Sequence, residues 1–159
     1  MIFITLGSQK FQFNRLLKAV DEQVADGRIQ DEIFAQIGAS NYIPQRFQYK
    51  PFLSRDEFAE WQEKAEIEIT HGGTGAIIGA VKKGKKVIAV PRLARYGEHV
   101  DDHQLQLIEQ FKELDLICEC MDCEDIYKAV EEVKNTEYKG YSSNTNTIIE
   151  SIEKYIKSV

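Results

Sequence analysis

The segment with the clearest chemical potential is ITHGGTGAII, residues 69–78, which joins an apolar run to a helical pattern. Its three glycines expose backbone N–H groups at the beginning of the helix, where phosphate groups commonly bind. A tight turn with a packed histidine is the alternative, but such a turn needs fewer glycines. We therefore predict that a phosphate is bound by this glycine-rich turn, which consists of His71, Gly72, Gly73, Thr74 and Gly75.

A second polar concentration follows at residues 98–104, EHVDDHQ, and three interpretations fit it. His99 and His103 could form a metal site with Asp102, or the acids could cap the helix that follows. Carboxylates, imidazoles and amides also form hydrogen bonds with the hydroxyls of sugars. We favour recognition of sugar hydroxyls by this segment, with helix capping as the main alternative.

The elements that must position these residues are predicted from apolar periodicity. Strands are expected at residues 2–6, 32–37, 46–49, 66–70, 86–90 and 116–120. Helices are expected at residues 14–26, 54–64, 74–83, 100–114, 122–134 and 146–157. Strands that alternate with helices predict one α/β domain over residues 1–159, a Rossmann-like parallel sheet with helices on both faces.

Three loops follow the carboxyl ends of predicted strands, which is where ligands bind in such sheets. They are Gly7-Ser8-Gln9, the glycine-rich turn, and Pro91 to Gln104. The first loop contains a single glycine, which excludes the dinucleotide-binding fingerprint. The segment GAVKKGKK lacks the final Ser or Thr of a P-loop and runs from a helix to a strand. We therefore expect one crevice, formed by all three loops, that binds phosphate in another way.

The composition limits the possible partners. A formal net charge of −6 gives the chain no general affinity for nucleic acid. A local basic cluster is expected to be a solvated helix end, with docking to an anionic membrane surface or an anionic partner as the alternative. Its members are Lys82, Lys83, Lys85, Lys86, Arg92 and Arg95.

The cysteines and apolar runs indicate a protein of the cytoplasm. Cys118, Cys120 and Cys123 lie close together without a fourth ligand nearby, so reduced thiols are favoured over a zinc site. The apolar runs are too short to cross a membrane, and the beginning of the sequence lacks the pattern of a signal peptide. We therefore expect a cytoplasmic location.

Three segments together resemble a known family: TLGSQKF, HGGTGAIIGAVKKGKKVIAVPR and GEHVDDHQ. They resemble the C-terminal, donor-binding half of family 28 glycosyltransferases of the GT-B type. More narrowly, the chain resembles the stand-alone soluble catalytic subunits of two-component bacterial capsule and exopolysaccharide glycosyltransferases. The resemblance covers nearly the whole chain and implies the fold of the C-terminal half of a GT-B enzyme.

The resemblance implies how a UDP-sugar would be held. The diphosphate would be bound by the glycine-rich turn together with Gly7, Ser8 and Gln9. The hydroxyls of the donor sugar would contact Asp102, His103 and Gln104. The family usually has a ribose-binding glutamate where this chain has Gly79, so the ribose would have to be held in another way.

The resemblance also implies the reaction. A galactose, glucose or N-acetylglucosamine unit would pass from the UDP-sugar to a lipid-linked saccharide, with inversion and with neither a metal nor a cofactor. His71 would stabilise the departing diphosphate. His99 is a candidate for the general base, although a partner protein is the better source of that group.

A full GT-B enzyme has two domains, and this chain corresponds to one of them. The resemblance therefore implies a membrane-anchored partner that binds the acceptor and recruits this chain to the inner face of the membrane. The last predicted helix would pack on its own sheet or against that partner through Ile148, Ile149, Ile152, Tyr155 and Ile156. A non-catalytic nucleotide-binding regulatory module is the alternative function, but it has no use for the sugar-binding residues.

Overall fold

Six parallel strands form the centre of the protein in a computed structural model that describes residues 1–7, 9–140, 142, 147, 150, 151 and 154. The strands are β1 (Ile2–Thr5), β2 (Ile33–Gln36), β3 (Gln48–Lys50), β4 (Ile67–His71), β5 (Lys86–Val90) and β6 (Cys118–Glu119). The helices are α1 (Asn14–Ala25), α2 (Arg55–Lys64), α3 (Thr74–Lys82), α4 (His103–Glu113) and α5 (Ile126–Lys134). Two 3-10 turns lie at Ala94–Tyr96 and Cys123–Asp125.

The strand order is β3-β2-β1-β4-β5-β6, and every neighbouring pair is parallel. The strands β1 and β4 are therefore neighbours in space although β2 and β3 separate them in sequence. Thr5 pairs with Thr70, so these two strands end side by side. This topology brings the first loop next to the glycine-rich turn, as the sequence predicts.

Different helices cover the two faces of the sheet, because successive residues of a strand point to opposite faces. Ile4 and Ile69 belong to the cluster that packs against α1 and α5. On the opposite face, Phe3 lies under α2, and Val87 lies under α3 and α4. The predicted α/β class with helices on both faces is confirmed.

The predicted order of strands and helices is confirmed up to residue 134, while several boundaries differ. Helix α4 begins at His103 and not at Val100, because the preceding segment is drawn into the protein by the buried side chain of Glu98. The last predicted helix, residues 146–157, lies for most of its length outside the described residues. The same holds for all of its apolar positions: Ile148, Ile149, Ile152, Tyr155 and Ile156.

Two lysines of the basic cluster contact the ends of neighbouring helices. The ammonium of Lys85 donates to the carbonyl of Glu63 near the end of α2. Lys86 donates to the carbonyl of Val133 at the end of α5, at 2.7 Å. These contacts are the favourable ones for cations at helix C-termini. Arg92 does not belong to this surface cluster, because its side chain is only 1% exposed.

The three cysteines are free thiols that are buried in the core. Burial raises the pKa of Cys118 and Cys120 to about 12 and that of Cys123 to about 11. Thiols with such pKa values carry almost no thiolate at neutral pH and are therefore unreactive. Among the described residues, no group of three or more His, Cys, Asp or Glu side chains is arranged to hold a metal ion.

The face of the sheet under α2, α3 and α4 contains a buried carboxyl group, that of Glu68. Its Oε1 accepts a hydrogen bond from Nε2 of Gln62, at 3.0 Å, and no described residue donates a hydrogen bond to Oε2. Burial raises the pKa of Glu68 from 4.5 to about 7. Folding therefore favours the protonated form of this carboxyl group.

We predict that Glu68 makes the stability of the fold depend on pH. Because the pKa of Glu68 is higher in the folded than in the unfolded state, the contribution of this group to stability is fully present below pH 4.5 and is lost as the pH rises through about 7. Glu68→Gln keeps the acceptor without the charge, so the variant should exceed the wild type by about 2 kcal/mol at pH 8 and match it at pH 4.5. Urea unfolding across this range measures the difference.

The matched control is Glu66→Gln, which removes a carboxylate from an exposed position two residues earlier. Its unfolding free energy should follow that of the wild type at every pH. If the curves of Glu68→Gln and the wild type run parallel from pH 4.5 to 8, the buried carboxyl group does not carry the proposed charge penalty.

Candidate functional site

The glycine-rich turn is a short connection between β4 and α3. Strand β4 ends at His71 and α3 begins at Thr74, so Gly72 and Gly73 alone join them. Gly73 is the N-cap residue, and no side chain caps the helix. The backbone N–H groups of the first turn therefore have no partner within the helix, and the helix dipole favours an anion there.

In contrast to α3, helix α2 has a capped N-terminus. Its N-terminus has a complete capping box, in which Ser54 Oγ accepts from the N–H of Glu57 while the Glu57 carboxylate accepts from the N–H of Ser54. This arrangement satisfies the N–H groups from inside the protein. Helix α3 has no such cap, so the N–H groups of its first turn are available to a ligand.

His71 is held in one tautomer at the edge of this turn. Its Nδ1 accepts from the backbone N–H of Gly73 at 3.1 Å and lies 3.2 Å from Nε2 of Gln104. The ring proton therefore belongs on Nε2. Burial lowers the pKa of His71 to about 4, with further contributions from the charges of Arg92 and His99. The imidazole is neutral at physiological pH, and its Nε2–H group is a hydrogen-bond donor.

Two of the glycines are required by the His71 ring. A Cβ atom at Gly73 would overlap the ring, with Cε1 as the nearest atom. Gly7 of the first loop has a φ of +74°, and its Cβ would lie 3.1 Å from Nε2 of His71. The first loop and the glycine-rich turn therefore meet at His71, and bare backbone is what allows the approach.

The glycine at position 75, in contrast to Gly7 and Gly73, is not required by the His71 ring. It lies in the first turn of α3 with no positive φ, and a Cβ at this position would have no atom within 4 Å. Neither the backbone conformation nor the packing inside the chain requires glycine, which weakens a helix relative to alanine. The absent side chain leaves clear space over the exposed N–H groups of the helix.

The side chain of Gln104 joins the glycine-rich turn to the loop after β5. Its Oε1 accepts from the backbone N–H groups of Gly72 and Arg92, each at 2.9 Å. The residue is only 5% exposed. Gly72 fits closely against it, since a Cβ at Gly72 would lie 2.8 Å from Cβ of Gln104. The predicted contact of Gln104 with a donor sugar stays a prediction, and its amide has this positioning role in addition.

Arg92 is a site residue that the sequence interpretation missed, because it was counted in the basic surface cluster. Its guanidinium is buried and donates to the backbone oxygens of Leu6, Phe11 and Gln12, which bracket the first loop. The signal was its position, two residues after β5 ends at Val90, at the carboxyl end of a strand. Ligands of such sheets bind at the carboxyl ends of the strands, so a cationic side chain at that position is expected near the site.

Glu98 is the second residue that the sequence interpretation missed. Its carboxylate is fully buried and accepts from the side chain of Arg15 and from the backbone N–H of Leu93, each at 3.0 Å. These bonds pull the segment after β5 down onto α1. The loop that carries the polar residues 99–104 is thereby held in place.

The two histidines near the start of α4, His99 and His103, lie on either side of the carboxylate of Asp101. Its carboxylate lies 3.2 Å from Nδ1 of His99 and 3.5 Å from Nδ1 of His103, and it accepts from the backbone N–H of His103 at 3.0 Å. Asp101 and not Asp102 therefore receives the first N–H of the helix. Asp102 accepts instead from the N–H of Ala94, at 2.9 Å.

The structure brings most of the predicted site residues together. Gly7, Gly73 and Gln104 all lie against His71, and His99 is close enough to influence the pKa of His71. Three predicted residues are exposed at the rim: Gln9, Asp102 and His103. Ser8 lies outside the described residues. The combined groups are N–H donors and buried cations, which suit an anionic ligand.

The chain matches the model of the glycosyltransferase family 28 C-terminal domain over residues 1–159. Among curated proteins, it is 25% identical over 118 residues to the human UDP-N-acetylglucosamine transferase subunit ALG13. That alignment covers 69% of this chain and 10% of the human protein. The chain thus spans about a tenth of the length of this relative.

Solved structures support the same fold at low sequence identity. The NMR solution structure of ALG13 superposes with a TM-score of 0.60 at 16% identity, covering 98% of this chain and 94% of that one. The crystal structure of the glycotransferase of kitacinnamycin gives 0.58 at 15% identity, covering 99% of this chain and 39% of that one. The fold is that of the C-terminal domain of GT-B glycosyltransferases. Within the described part of the chain, every helix is too short or too polar to cross a membrane.

We predict that Gln104 contributes more to the unfolding free energy than an exposed glutamine on the same helix does. Gln104→Ala leaves the buried N–H groups of Gly72 and Arg92 without an acceptor, which should lower the unfolding free energy by about 2–4 kcal/mol. The control, Gln106→Ala, changes an exposed glutamine on the same helix and should cost less than about 0.5 kcal/mol. Equal losses in urea unfolding would contradict the assigned role.

Proposed function

Because this chain belongs to the glycosyltransferase family 28 C-terminal domain family, we propose that it binds the UDP-sugar donor of a glycosyl transfer reaction. One observation carries this proposal. The uncapped N-terminus of α3 lies beside the Nε2–H donor of His71, with clear space above it at Gly75. A diphosphate is the part of a UDP-sugar that this set of donors fits.

The same groups suit the chemical step. A hydroxyl of the acceptor attacks the anomeric carbon of the sugar, the bond to the diphosphate breaks, and negative charge grows on the departing oxygen. The N–H groups of α3 and of His71 are fixed in advance and are partly shielded from water, so they stabilise this charge without reorganising. His71 does so as a neutral donor, because its pKa of about 4 keeps the imidazole uncharged.

The acceptor hydroxyl also needs a base. His99 is the candidate from this chain, because its imidazole lies beside Asp101, whose carboxylate is 3.2 Å from Nδ1 and whose backbone N–H donates to the same atom at 3.4 Å. The ring packs against Phe11 with centroids 5.5 Å apart. A base from a partner protein is the alternative.

For the sugar, we propose N-acetylglucosamine, glucose or galactose, with hydroxyl contacts from Asp102, His103 and Gln104. The human relative is described as a UDP-N-acetylglucosamine transferase subunit, which supports the first of these. The ribose is proposed to be held by groups other than position 79, because this chain has Gly79 where the family usually has a ribose-binding glutamate.

We propose that the chain works with a membrane-anchored subunit that binds a lipid-linked saccharide, at the inner face of the membrane, in capsule or exopolysaccharide synthesis. The human relative is itself described as a subunit, which supports a partner. Transfer is proposed to be inverting and to proceed without a metal or cofactor, through the electrostatic groups described above.

The first test is calorimetric titration of the chain with UDP, the three UDP-sugars, uridine and ADP, without added metal. We expect UDP and one UDP-sugar to bind, and uridine to bind much more weakly, because the donors of α3 and His71 act on the diphosphate. Binding of UDP no tighter than uridine would contradict the assignment of the glycine-rich turn. Tight binding without any transfer, even when membranes that contain the partner are added, would favour the regulatory module.

A pair of variants locates the diphosphate. Gly75→Ala should leave the fold as stable as the wild type or stabilise it by about 0.5 kcal/mol, and should weaken UDP binding on the order of tenfold by filling the clear space. Gly79→Ala adds the same methyl group one turn later and should change UDP affinity less than about twofold. Equal effects of the two variants would place the diphosphate elsewhere.

The partner is tested by activity. We expect the purified chain, saturated with its UDP-sugar, to transfer no sugar to a lipid-linked saccharide, because the acceptor site belongs to another protein. Addition of membranes that contain the partner should restore transfer, measured as incorporation of labelled sugar into lipid. Full transfer by the purified chain would show that no partner is needed.

A further inference from the structure

Two arginines and one glutamate form a charged network beneath the loops of the site. Nε of Arg15 lies 3.0 Å from Oε2 of Glu98, and its Nη2 donates to Oε1, also at 3.0 Å. Nη1 of Arg92 donates to the backbone oxygen of Glu98 at 3.4 Å. Two guanidinium groups and one carboxylate leave the network with one net positive charge.

This charge is permanent and largely removed from solvent. The side chain of Glu98 is fully buried and Arg92 is 1% exposed, while Arg15 is partly exposed. Burial lowers the pKa of Arg92 to about 10, which still leaves the guanidinium charged at neutral pH. Salt screens buried charges much less than exposed ones. The network therefore acts as a fixed source of positive potential.

The network touches both loops that are proposed to hold the diphosphate. The guanidinium of Arg92 donates to the carbonyl of Leu6, immediately before Gly7. The backbone N–H of Arg92 shares the Oε1 atom of Gln104 with the N–H of Gly72. The positive potential also reaches the His71 ring, because the charge of Arg92 is one of the causes of its lowered pKa.

We propose that the Arg15–Glu98–Arg92 network is a built-in counter-charge for the diphosphate at the glycine-rich turn. The network does not contact the diphosphate. It acts through space, favouring the bound anion and the charge that grows as the diphosphate departs. This inference rests on the proposed function, and it assigns part of the affinity for the anion to residues outside the turn itself.

The test changes the charge of the network at its partly exposed end. Arg15→Gln removes the net positive charge and leaves the bonds of Arg92 to the first loop in place. We expect it to weaken UDP binding about three- to tenfold and to leave uridine binding unchanged, because uridine carries no charge. The control is Lys18→Gln, which removes the same charge from an exposed position on the same helix and should change neither affinity.

A second variant changes the charge in the other direction. Glu98→Gln raises the net charge of the network to two and should tighten UDP binding by a similar factor, whereas a purely structural role predicts weaker binding. If Glu98→Gln does not fold, the comparison of Arg15→Gln with Lys18→Gln decides alone. Equal UDP affinities for those two variants overturn the proposal.

A readout without ligand separates this inference from the proposed function. His71 is faced by the charged or titratable groups of Arg92 and His99, which lower its pKa. Arg15→Gln should raise the pKa of His71, measured by NMR titration of its ring, while Lys18→Gln should not. The same pKa in both variants overturns the counter-charge. A wild-type chain that binds neither UDP nor uridine contradicts the donor site, and the His71 titration still decides the counter-charge.

Discussion

The arrangement of the site depends on one amide oxygen, Oε1 of Gln104, which accepts from the backbone N–H groups of Gly72 and Arg92. These two groups follow neighbouring strands, and neither has a strand partner at that point. A single buried acceptor therefore fixes the distance between the glycine-rich turn and the loop after β5. Gln104 itself lies in the first turn of α4, so its side chain holds the helix, the glycine-rich turn and the loop after β5 together.

Arg92 connects this unit to the first loop of the site, Gly7-Ser8-Gln9. Its backbone is held by Gln104, and its side chain donates to carbonyls at both ends of the first loop. Glu98 then ties the same segment to α1 through Arg15. Because backbone carbonyls left without donors in the interior are costly, a buried arginine with several donors is well suited to close such a loop.

The polar groups that stabilise the fold and those that remain available for a ligand are clearly separated. Nδ1 of His71, Oε1 of Gln104 and the carboxylate of Glu98 are all used inside the protein. The N–H groups at the start of α3 are not used by a capping side chain, in contrast to those of α2. The donors that remain all favour an anion, which is consistent with membership of a glycosyltransferase family.

Most of the fold was determined by the sequence alone, because apolar periodicity and glycine-rich turns are local signals. The strand and helix order, the parallel class and the place of His71 to Gly75 at a strand end all follow from them. The roles of Arg92 and Glu98 were decided only by the tertiary structure. A charged residue close to a lysine cluster resembles a surface residue in sequence, and burial of its charge requires partners from distant segments, here Leu6, Arg15 and Phe11. Such partners come together only when β1, β4 and β5 are assembled side by side.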